Sequence, residues 1–353
     1  MRTDAVARTH VSREIVTFVM AASHVLRQDP ITKRWVACAP RRSARPKQTT
    51  FAEDEPSNAA EGPVEGCPFC VGHEAQLPQV IAQRAHPGDG PWATRTVPNK
   101  FPAFVPDASD PPAPNGFAAR GGRGRQEVII ETPHHHQALA TLPIAHVEAV
   151  VATYVARLRS VRASTDFVPF LFRNYGGAAG ASLAHPHSQL IATALRPPQV
   201  EREEAMAGRH HRTIGECPYC AMLTSAYASE ARVVYTNDKM AVFVPYAAHT
   251  PALLWIVPRT HQSVAHQMDT ATQLALADAL QRSLQALRRA FGAPAYNFYL
   301  RSALDGMARP HLHWSLRIVP RLSVNAGFER ATGVHINPSV PEDDAAALRQ
   351  AIA

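Results

Sequence analysis

The chain of 353 residues has no apolar run close to the roughly 20 residues that a membrane-spanning helix needs, which excludes an integral membrane protein. It has only five cysteines, too few for a disulfide scaffold in a chain of this length. Disorder is excluded for most of the chain, because 46% of the residues are hydrophobic, as in globular proteins. Glycine (18) is scarcer than proline (30), and proline stops helices, so we expect short strands joined by stiff loops.

The net charge of +7 suits anionic partners such as phosphorylated substrates. The excess is too small and too scattered to require nucleic acid, so we expect neither a nucleic-acid partner nor a membrane partner. The most basic segment, residues 120–125, contains no aromatic side chains on which bases could stack. We therefore expect this segment to be a mobile basic loop, and an RNA-binding loop is the alternative.

Four of the five cysteines form two Cys-Pro-x-Cys pairs, Cys67 with Cys70 and Cys217 with Cys220. Two thiolates at this separation can bind one tetrahedral metal ion, which indicates zinc and a reducing cytoplasm. The fifth cysteine, Cys38, lies in a strand-like run and is expected to be buried.

An apolar stretch at residues 15–22 follows three arginines and faintly resembles a signal peptide. Export would oxidise the paired thiols, so we favour an early strand or an N-terminal extension. The localisation that we predict is therefore cytoplasmic.

The two halves of the chain present the same landmarks in the same order. Each half has a cysteine pair, an apolar strand leading to a histidine, a long helical stretch, and a second histidine that opens a last strand. The matched landmarks are Cys67 and Cys217, His135 and His261, and His185 and His313. This order of elements indicates an internal duplication.

Apolar spacing predicts helices over residues 144–163 and 270–291, with polar side chains such as Gln281 facing water. Each half is then a mainly antiparallel sheet with one long covering helix, which makes the fold class α+β with two duplicated domains. A polar stretch marks the boundary, and we divide the chain into residues 1–205 and 206–353.

Zinc needs four ligands, and each cysteine pair supplies two. The repeat predicts His135 and His185 as the remaining ligands of a first site. It predicts His261 and His313 for a second. Because all four positions are filled, both sites are expected to be structural. The choice of histidines stays open, since others lie nearby: His134, His136, His249, His266 and His311. Unligated thiols with surface histidines are the alternative.

The most informative segment, residues 174–190, joins small residues to the sequence His-Pro-His-Ser-Gln. Small residues let the backbone approach a phosphate closely, and Ser182 adds a hydroxyl donor. Strand alternation would project His185 and His187 to one face. The segment resembles the signature of the galactose-1-phosphate uridylyltransferase family, in the histidine-triad superfamily. The resemblance covers most of the chain and includes residues 29–36, 40–46, 67–70, 327–329 and 336–338.

The resemblance implies two histidine-triad-like domains and a covalent ping-pong mechanism. His187 is implied as the nucleophile that attacks the α-phosphorus of a nucleotide sugar and expels a sugar 1-phosphate. Histidine titrates near about pH 6.5, so a neutral imidazole can attack at pH 7. The main-chain carbonyl of His185 would hold the tautomer of His187, which gives the metal an orienting role. Gln189 stands where related hydrolases have a third histidine, and its amide cannot shuttle protons to water.

The resemblance also implies a substrate site that two subunits share. Arg42 and Arg45 would contact the nucleotide phosphates from the neighbouring subunit, which implies a homodimer. Solvated charges at a strand end are the alternative for these arginines. The other residues implied at the substrate are Asn99, Asn174, Gly180, Ser182, Gly327 and Phe328.

The second half departs from the best-known members of the family. Ser315 occupies the position of the nucleophile when the two halves are aligned, so this half is expected to bind zinc and support the dimer without reacting. Its cysteine pair replaces a late His-x-His of those members, which makes it look more like the plant ADP-glucose phosphorylase branch. His335 replaces a glutamine that holds the hexose in the well-known uridylyltransferases.

We therefore predict a dimeric, zinc-containing nucleotidyltransferase, and first a UDP-glucose–hexose-1-phosphate uridylyltransferase of galactose metabolism. Its substrates would be a nucleotide sugar and a hexose 1-phosphate. The alternatives are an ADP-glucose phosphorylase or related adenylyltransferase, a nucleotide hydrolase of the same superfamily, and a non-enzymatic zinc protein that binds nucleic acid.

Overall fold

The structure is a computed structural model that describes residues 25–44, 62–113 and 115–352. The apolar stretch at residues 15–22 and the predicted phosphate ligand Arg45 lie outside the described residues. Within this part, the strands form one sheet of three strands and one sheet of ten.

The elements are numbered along the chain. The strands of the described residues are β1 Val25–Gln28, β2 Trp35–Cys38, β3 Ala82–Arg84, β4 Thr94–Pro98, β5 Gly124–Ile130, β6 Val168–Tyr175, β7 His187–Thr193, β8 Val233–Thr236, β9 Met240–Phe243, β10 Leu254–Pro258, β11 Tyr296–Arg301, β12 Ser315–Pro320 and β13 His335–Asn337. The α-helices are α1 Ile144–Ser164, α2 Pro198–Ile214, α3 Pro218–Ser229, α4 Thr270–Phe291, α5 Gly327–Thr332 and α6 Pro341–Ile352.

The ten-stranded sheet shows the internal duplication directly. Its order is β3-β4-β5-β7-β6-β11-β12-β10-β9-β8, and all neighbouring strands are antiparallel. Counted from its outer edge inward, the first half has β3, β4, β5, β7 and β6, and the second half has β8, β9, β10, β12 and β11. In both halves the third strand precedes the long helix, the fourth is the last strand of the half, and the fifth follows the helix. The predicted α+β class with duplicated halves is confirmed.

The two halves join edge to edge through β6 and β11. Asn174 lies opposite Asn297, and Tyr175 lies opposite Tyr296, in an antiparallel register. The two tyrosine rings stack with centroids 4.8 Å apart. The division after residue 205 stays a prediction; this residue lies inside α2.

The two long helices form where the apolar spacing predicted them. α1 begins at the predicted residue and α4 has both predicted ends. The side chain of Asp269 accepts a hydrogen bond from the backbone N–H of Thr272 at 2.7 Å, which caps the first turn of α4. The prediction that Gln281 faces water is wrong. α4 packs against α1 of the other half, and Gln281 donates to the carbonyl of Leu142 at 2.6 Å.

The three-stranded sheet attaches to the second half. β1 pairs antiparallel with β2, and β13 pairs parallel with β2 on its other side. Arg27 of β1 makes a two-pronged ion pair with Glu342 of α6 and donates to the carbonyl of Tyr246 at 3.1 Å. Cys38 in β2 is buried, as predicted.

Several elements were not predicted, and α2 is the most important of them. It occupies the polar stretch at residues 197–215, where the apolar stripe is too narrow to identify a helix. Val200 and Ala207 are buried, and so is the carboxylate of Glu203. Of the helices in the described ranges, none combines the length and apolarity needed to cross a membrane.

The basic segment at residues 120–125 runs into the sheet. Gly124 begins β5, and a Cβ atom there would lie only 2.2 Å from the carbonyl oxygen of Ala192 on β7. Glycine is therefore required by the close approach of two strands. The next residue, Arg125, forms an ion pair with Glu127 at 3.4 Å.

Candidate functional site

Four side chains of the first half converge just before β7. The ligand atoms of Cys67, Cys70, His135 and His185 lie within 4.8 Å of one another. The sulfur of Cys70 is 3.4 Å from Nδ1 of His135 and 3.6 Å from Nδ1 of His185. A tetrahedral zinc ion would hold sulfur and nitrogen ligands about 3.5 Å apart, given bond lengths of about 2.3 and 2.0 Å. The donor set and its spacing fit zinc.

Backbone hydrogen bonds arrange these ligands. The N–H of Cys67 donates to the carbonyl of Val64, and the N–H of Cys70 donates to that of Cys67, so one turn presents both thiols. Nε2 of His185 donates to the carbonyl of Thr132 at 2.8 Å. Nδ1 is therefore the nitrogen left to bind a metal, the usual arrangement for a histidine ligand.

A matching group occupies the second half. Cys217, Cys220, His261 and His313 also lie with their ligand atoms within 4.8 Å. The sulfur of Cys220 is 3.4 Å from Nδ1 of His261 and 3.5 Å from Nδ1 of His313. Nε2 of His313 donates to the carbonyl of Pro258 at 3.0 Å, as His185 does in the first half. The histidines left open by the sequence lie outside both groups: His134, His136, His249, His266 and His311.

His187 opens β7 directly beside the first metal group. Its Nδ1 lies 2.8 Å from the main-chain carbonyl oxygen of His185 and donates to it. The side chain is buried, and the ring of Phe69 contacts it edge-on at 5.5 Å between centroids. Burial lowers the pKa of His187, while the hydrogen bond to His185 opposes the shift. Burial thus favours the neutral form of the imidazole, and Nε2 is the ring nitrogen that takes no part in the hydrogen bond to His185.

One face of the sheet carries His187 and a set of amide side chains. His187 and Gln189 are two residues apart on β7, so strand alternation puts both side chains on one face. In the register with β5, they lie opposite Ile130 and Val128. Gln126 precedes Val128 by two residues on β5, and its Nε2 donates to Oε1 of Gln189 at 3.0 Å. Gln189 is thereby held on the face that carries His187.

The opposite face of β7 carries a buried network that the sequence analysis missed. Ser188 donates to Glu131 at 2.6 Å, and the hydroxyl of Tyr154 on α1 also donates to Glu131. Arg173 forms an ion pair with Glu131 at 2.8 Å, and both side chains are almost fully buried. The sequence did contain a signal, because Glu131 directly follows the apolar run at residues 128–130 and Arg173 directly follows the apolar run at residues 167–172. The network supports the strand that begins with His187.

The glycine-rich loop follows β6. Gly177–Ala179 form a 3-10 turn, and Gly180 has a left-handed backbone with φ of +84°, which favours glycine. Gly180 and Ser182 are exposed. Asn174, at the end of β6, accepts a hydrogen bond from Asn297 at 2.7 Å.

The other predicted substrate residues lie in two places. The backbone N–H of Asn99 donates to the carbonyl of Gln126 at 2.8 Å, which places Asn99 beside β5 of the ten-stranded sheet. Arg42, Gly327 and Phe328 are exposed around the three-stranded sheet, which is attached to the second half. Phe328 is 51% exposed.

The position of the second half that is equivalent to His187 holds a buried serine. Ser315 stands where His187 stands in the first half, and it is fully buried. Arg317, in the place of Gln189, donates from Nε to Ser315 at 3.1 Å and forms a buried ion pair with Glu203 of α2. The guanidinium also stacks on Trp255 at 4.0 Å. This half has a buried salt bridge at the positions that His187 and Gln189 occupy in the first half.

The family model described as "Galactose-1-phosphate uridyl transferase, N-terminal domain" matches residues 16–197. The chain belongs to the galactose-1-phosphate uridylyltransferase family. A second model, described as a domain of unknown function (DUF4921), matches residues 128–352. Membership of this family makes the chain an enzyme, a nucleotidyltransferase, which favours the enzymatic prediction over the non-enzymatic alternative.

Two relatives with different names are similar to this chain along almost its whole length. An ADP-glucose phosphorylase of Arabidopsis thaliana is 31% identical over 92% of both chains. A galactose-1-phosphate uridylyltransferase of Thermotoga maritima is 28% identical over 92% of this chain and 98% of the relative. The crystal structure of an Arabidopsis thaliana ADP-glucose phosphorylase with bound ADP-glucose matches with a TM-score of 0.78 at 28% identity, over 93% and 99% of the chains. The family is thus established, and these relatives differ in the activity that their names state.

Proposed function

We propose that this protein transfers a nucleoside monophosphate group from a nucleotide sugar to a phosphate acceptor through a covalent intermediate on His187. The observation that carries the proposal is the 2.8 Å hydrogen bond from Nδ1 of His187 to the carbonyl of His185. It leaves Nε2 with its lone pair directed away from the bond and fixes one tautomer of a neutral imidazole.

In the first half-reaction, Nε2 of His187 attacks the α-phosphorus of the nucleotide sugar. A phosphorus–nitrogen bond forms as the bond from the α-phosphorus to the bridging oxygen breaks, and the sugar 1-phosphate leaves with that electron pair. The lone pair needs no prior loss of a proton, so the reaction requires no separate base.

In the second half-reaction, an oxygen of the acceptor phosphate attacks the same phosphorus. The new phosphorus–oxygen bond forms and the phosphorus–nitrogen bond breaks, which returns a neutral His187. A phosphate dianion has no proton to lose, whereas attacking water does. Gln189 can donate a hydrogen bond to the phosphoryl oxygens and cannot accept that proton, so transfer is favoured over hydrolysis.

Zinc in the first group would hold the side chain of His185 through Nδ1. When bound, the metal supplies rigidity rather than chemistry, because the four protein ligands leave no open position for substrate. The carbonyl of His185 would then be a stationary acceptor for His187.

For the donor, we propose two candidates. UDP-glucose with a hexose 1-phosphate acceptor corresponds to the uridylyltransferases. ADP-glucose with inorganic phosphate corresponds to the ADP-glucose phosphorylases, and a specific observation favours this second candidate. In the second half, the cysteine pair lies together with His261 and His313 in a group that could hold a metal ion. This cysteine pair is the feature that resembles the ADP-glucose phosphorylase branch.

We also propose that the substrate site is completed by a second copy of the chain. Arg42, Gly327 and Phe328 are exposed and lie around the three-stranded sheet, which attaches to the second half, whereas His187 belongs to the first half. In a homodimer they would reach the nucleotide bound on the neighbouring copy. Arg45 is proposed to act with Arg42.

The proposal is tested by incubating the protein separately with UDP-glucose and ADP-glucose, without any acceptor, and measuring the mass of the intact protein. We expect a uridylyl or an adenylyl adduct, and the mass identifies the donor. The adduct should disappear when the correct phosphate acceptor is added. No adduct with either donor would contradict a covalent mechanism.

A further inference from the structure

The amide of Gln189 has a donor end and an acceptor end, and only the donor end can stabilise phosphoryl oxygens. Its orientation follows from a neighbouring amide. The backbone N–H of Ala103 can only donate, and it donates to Oε1 of Gln126 at 3.0 Å. The other end of Gln126, Nε2, therefore points to Gln189 and donates to its Oε1 at 3.0 Å. This bond leaves Nε2 of Gln189 free to face the substrate.

A second chain of bonds of the same kind acts on Asn174. The carbonyl of Ala179 in the glycine-rich loop can only accept, and it accepts from Nδ2 of Asn297 at 2.8 Å. The same Nδ2 donates to Oδ1 of Asn174 at 2.7 Å. Asn174 therefore directs its Nδ2 group away from Asn297, as a free donor.

This orientation has a cost at Asn297. Its Oδ1 is buried and has no hydrogen-bond partner among the described residues. A buried acceptor without a partner is unfavourable, and such exceptions call for an explanation. Turning the Asn297 amide over would exchange the positions of Oδ1 and Nδ2. Oδ1 would then face the carbonyl oxygen of Ala179, and neither oxygen could donate a hydrogen bond. The loop carbonyl therefore decides the orientation.

Both oriented amides lie on the face of the sheet that carries His187. Phe172 of β6 lies opposite Gln189 of β7, so these residues share that face. Asn174 is two residues further along β6 and, by strand alternation, is on the same face. The register pairs it directly with Asn297 of β11.

We propose that Gln126 and Asn297 are positioning residues that turn the amides of Gln189 and Asn174 so that both present N–H donors to the transferred phosphoryl group. The inference rests on the proposed function and extends it to two residues that would act through other side chains and not on the substrate directly. One of them, Asn297, belongs to the second half of the chain. The half that lacks the nucleophile thus takes part in the reaction by orienting an amide of the other half.

The first experiment reverses the orientation of Gln189 with a change of nearly equal shape. In Gln126→Glu, both carboxylate oxygens accept, so Gln189 must turn its Nε2 toward residue 126 and its oxygen toward the phosphoryl group. If the lost donor acts like other transition-state donors, kcat should fall by about 100- to 1,000-fold with KM little changed. Gln126→Met removes the bond without reversing the amide and should cost clearly less.

A double-mutant cycle separates orientation from charge. In a Gln189→Ala background there is no amide to turn, so adding Gln126→Glu should reduce kcat by little more. The same cycle applies to Asn297→Asp in the presence and absence of Asn174→Ala. If Asn297→Asp lowers the melting temperature by disturbing the loop, Asn297→Ala replaces it, since it frees the amide without adding charge.

Two results would overturn the proposal. One is an equal loss from Gln126→Glu with and without Gln189, which would mean that the new charge alone is responsible. The other is wild-type kcat in Gln126→Glu. Adduct formation in the wild-type protein is measured alongside: its absence would refute the covalent mechanism, whereas an adduct with no coupling in the cycle would refute the positioning role alone.

Discussion

The Nδ1 atom of His187 lies 2.8 Å from the main-chain carbonyl oxygen of His185, whose own Nδ1 lies 3.6 Å from the sulfur of Cys70. The proposed nucleophile and a proposed metal ligand are thus two residues apart on one backbone. A metal ion bound by this group would therefore restrain the proposed nucleophile through a single carbonyl group. The predictions below separate the chemical role of this segment from its structural role.

His187→Ala should abolish nucleotidyl transfer and leave the fold and the metal content unchanged. The imidazole forms the proposed covalent bond, whereas its removal leaves all four metal ligands in place. Steady-state kinetics, circular dichroism and elemental analysis check the three parts. His134→Ala is the control, because His134 is exposed and outside the metal group, and it should keep activity. Substantial ping-pong turnover in His187→Ala would reject the nucleophile.

Cys217→Ser should lower the zinc content from nearly two ions per chain to nearly one. The second group would lose one of its four ligands, so we expect a larger effect on the melting temperature than on the chemistry. Elemental analysis of freshly purified protein gives the metal content. Cys38→Ser is the matched control, since Cys38 is also buried but lies in β2 outside both groups. Iron, or no metal at all, in the wild-type protein would count against two zinc sites.

Gln189→His should raise hydrolysis of the nucleotide sugar relative to transfer, because a histidine here can take the proton of attacking water. Gln189→Ala should slow both half-reactions by about 2–4 kcal/mol, since it removes a donor to the phosphoryl oxygens. The readout is free nucleoside monophosphate compared with acceptor-dependent product in one assay. If the wild-type protein releases monophosphate equally fast with and without acceptor, the protein is a hydrolase.

Arg173→Met should destabilise the fold by about 3–5 kcal/mol, because it leaves the buried carboxylate of Glu131 without its cation. Adding Glu131→Gln should restore part of this loss, since the amide carries no charge. Chemical denaturation followed by fluorescence measures both free energies of unfolding. Arg196→Met is the control: its ion pair with Glu201 is about half exposed and should be worth at most about 1 kcal/mol. Equal costs for the two arginines would contradict the buried-pair argument.

Much of the site was predictable because its signals are local. The spacing of the cysteine pairs suggests zinc, and the glycine-rich loop with the His-Pro-His-Ser-Gln sequence carries the resemblance that implies the nucleophile. The repeat then predicted His135, His261 and His313 as further ligands, since duplicated halves place matched residues in matched positions, and each of them lies beside a cysteine pair. The long helices α1 and α4 followed from apolar periodicity, the most reliable pattern in a sequence.

Other features depended on the tertiary structure, since they join residues far apart in the chain. No local pattern shows that Asn297 of one half lies opposite Asn174 of the other, because only the edge-to-edge pairing of β6 and β11 brings them together. The burial of Gln281 arises in the same way, from the packing of α4 on α1. Glu203 lies in a helix too polar to be identified, yet it pairs with Arg317 in the second half. The sequence by itself determined the duplication and the groups that we propose to react; strand order and helix packing decided which side chains surround and orient those groups.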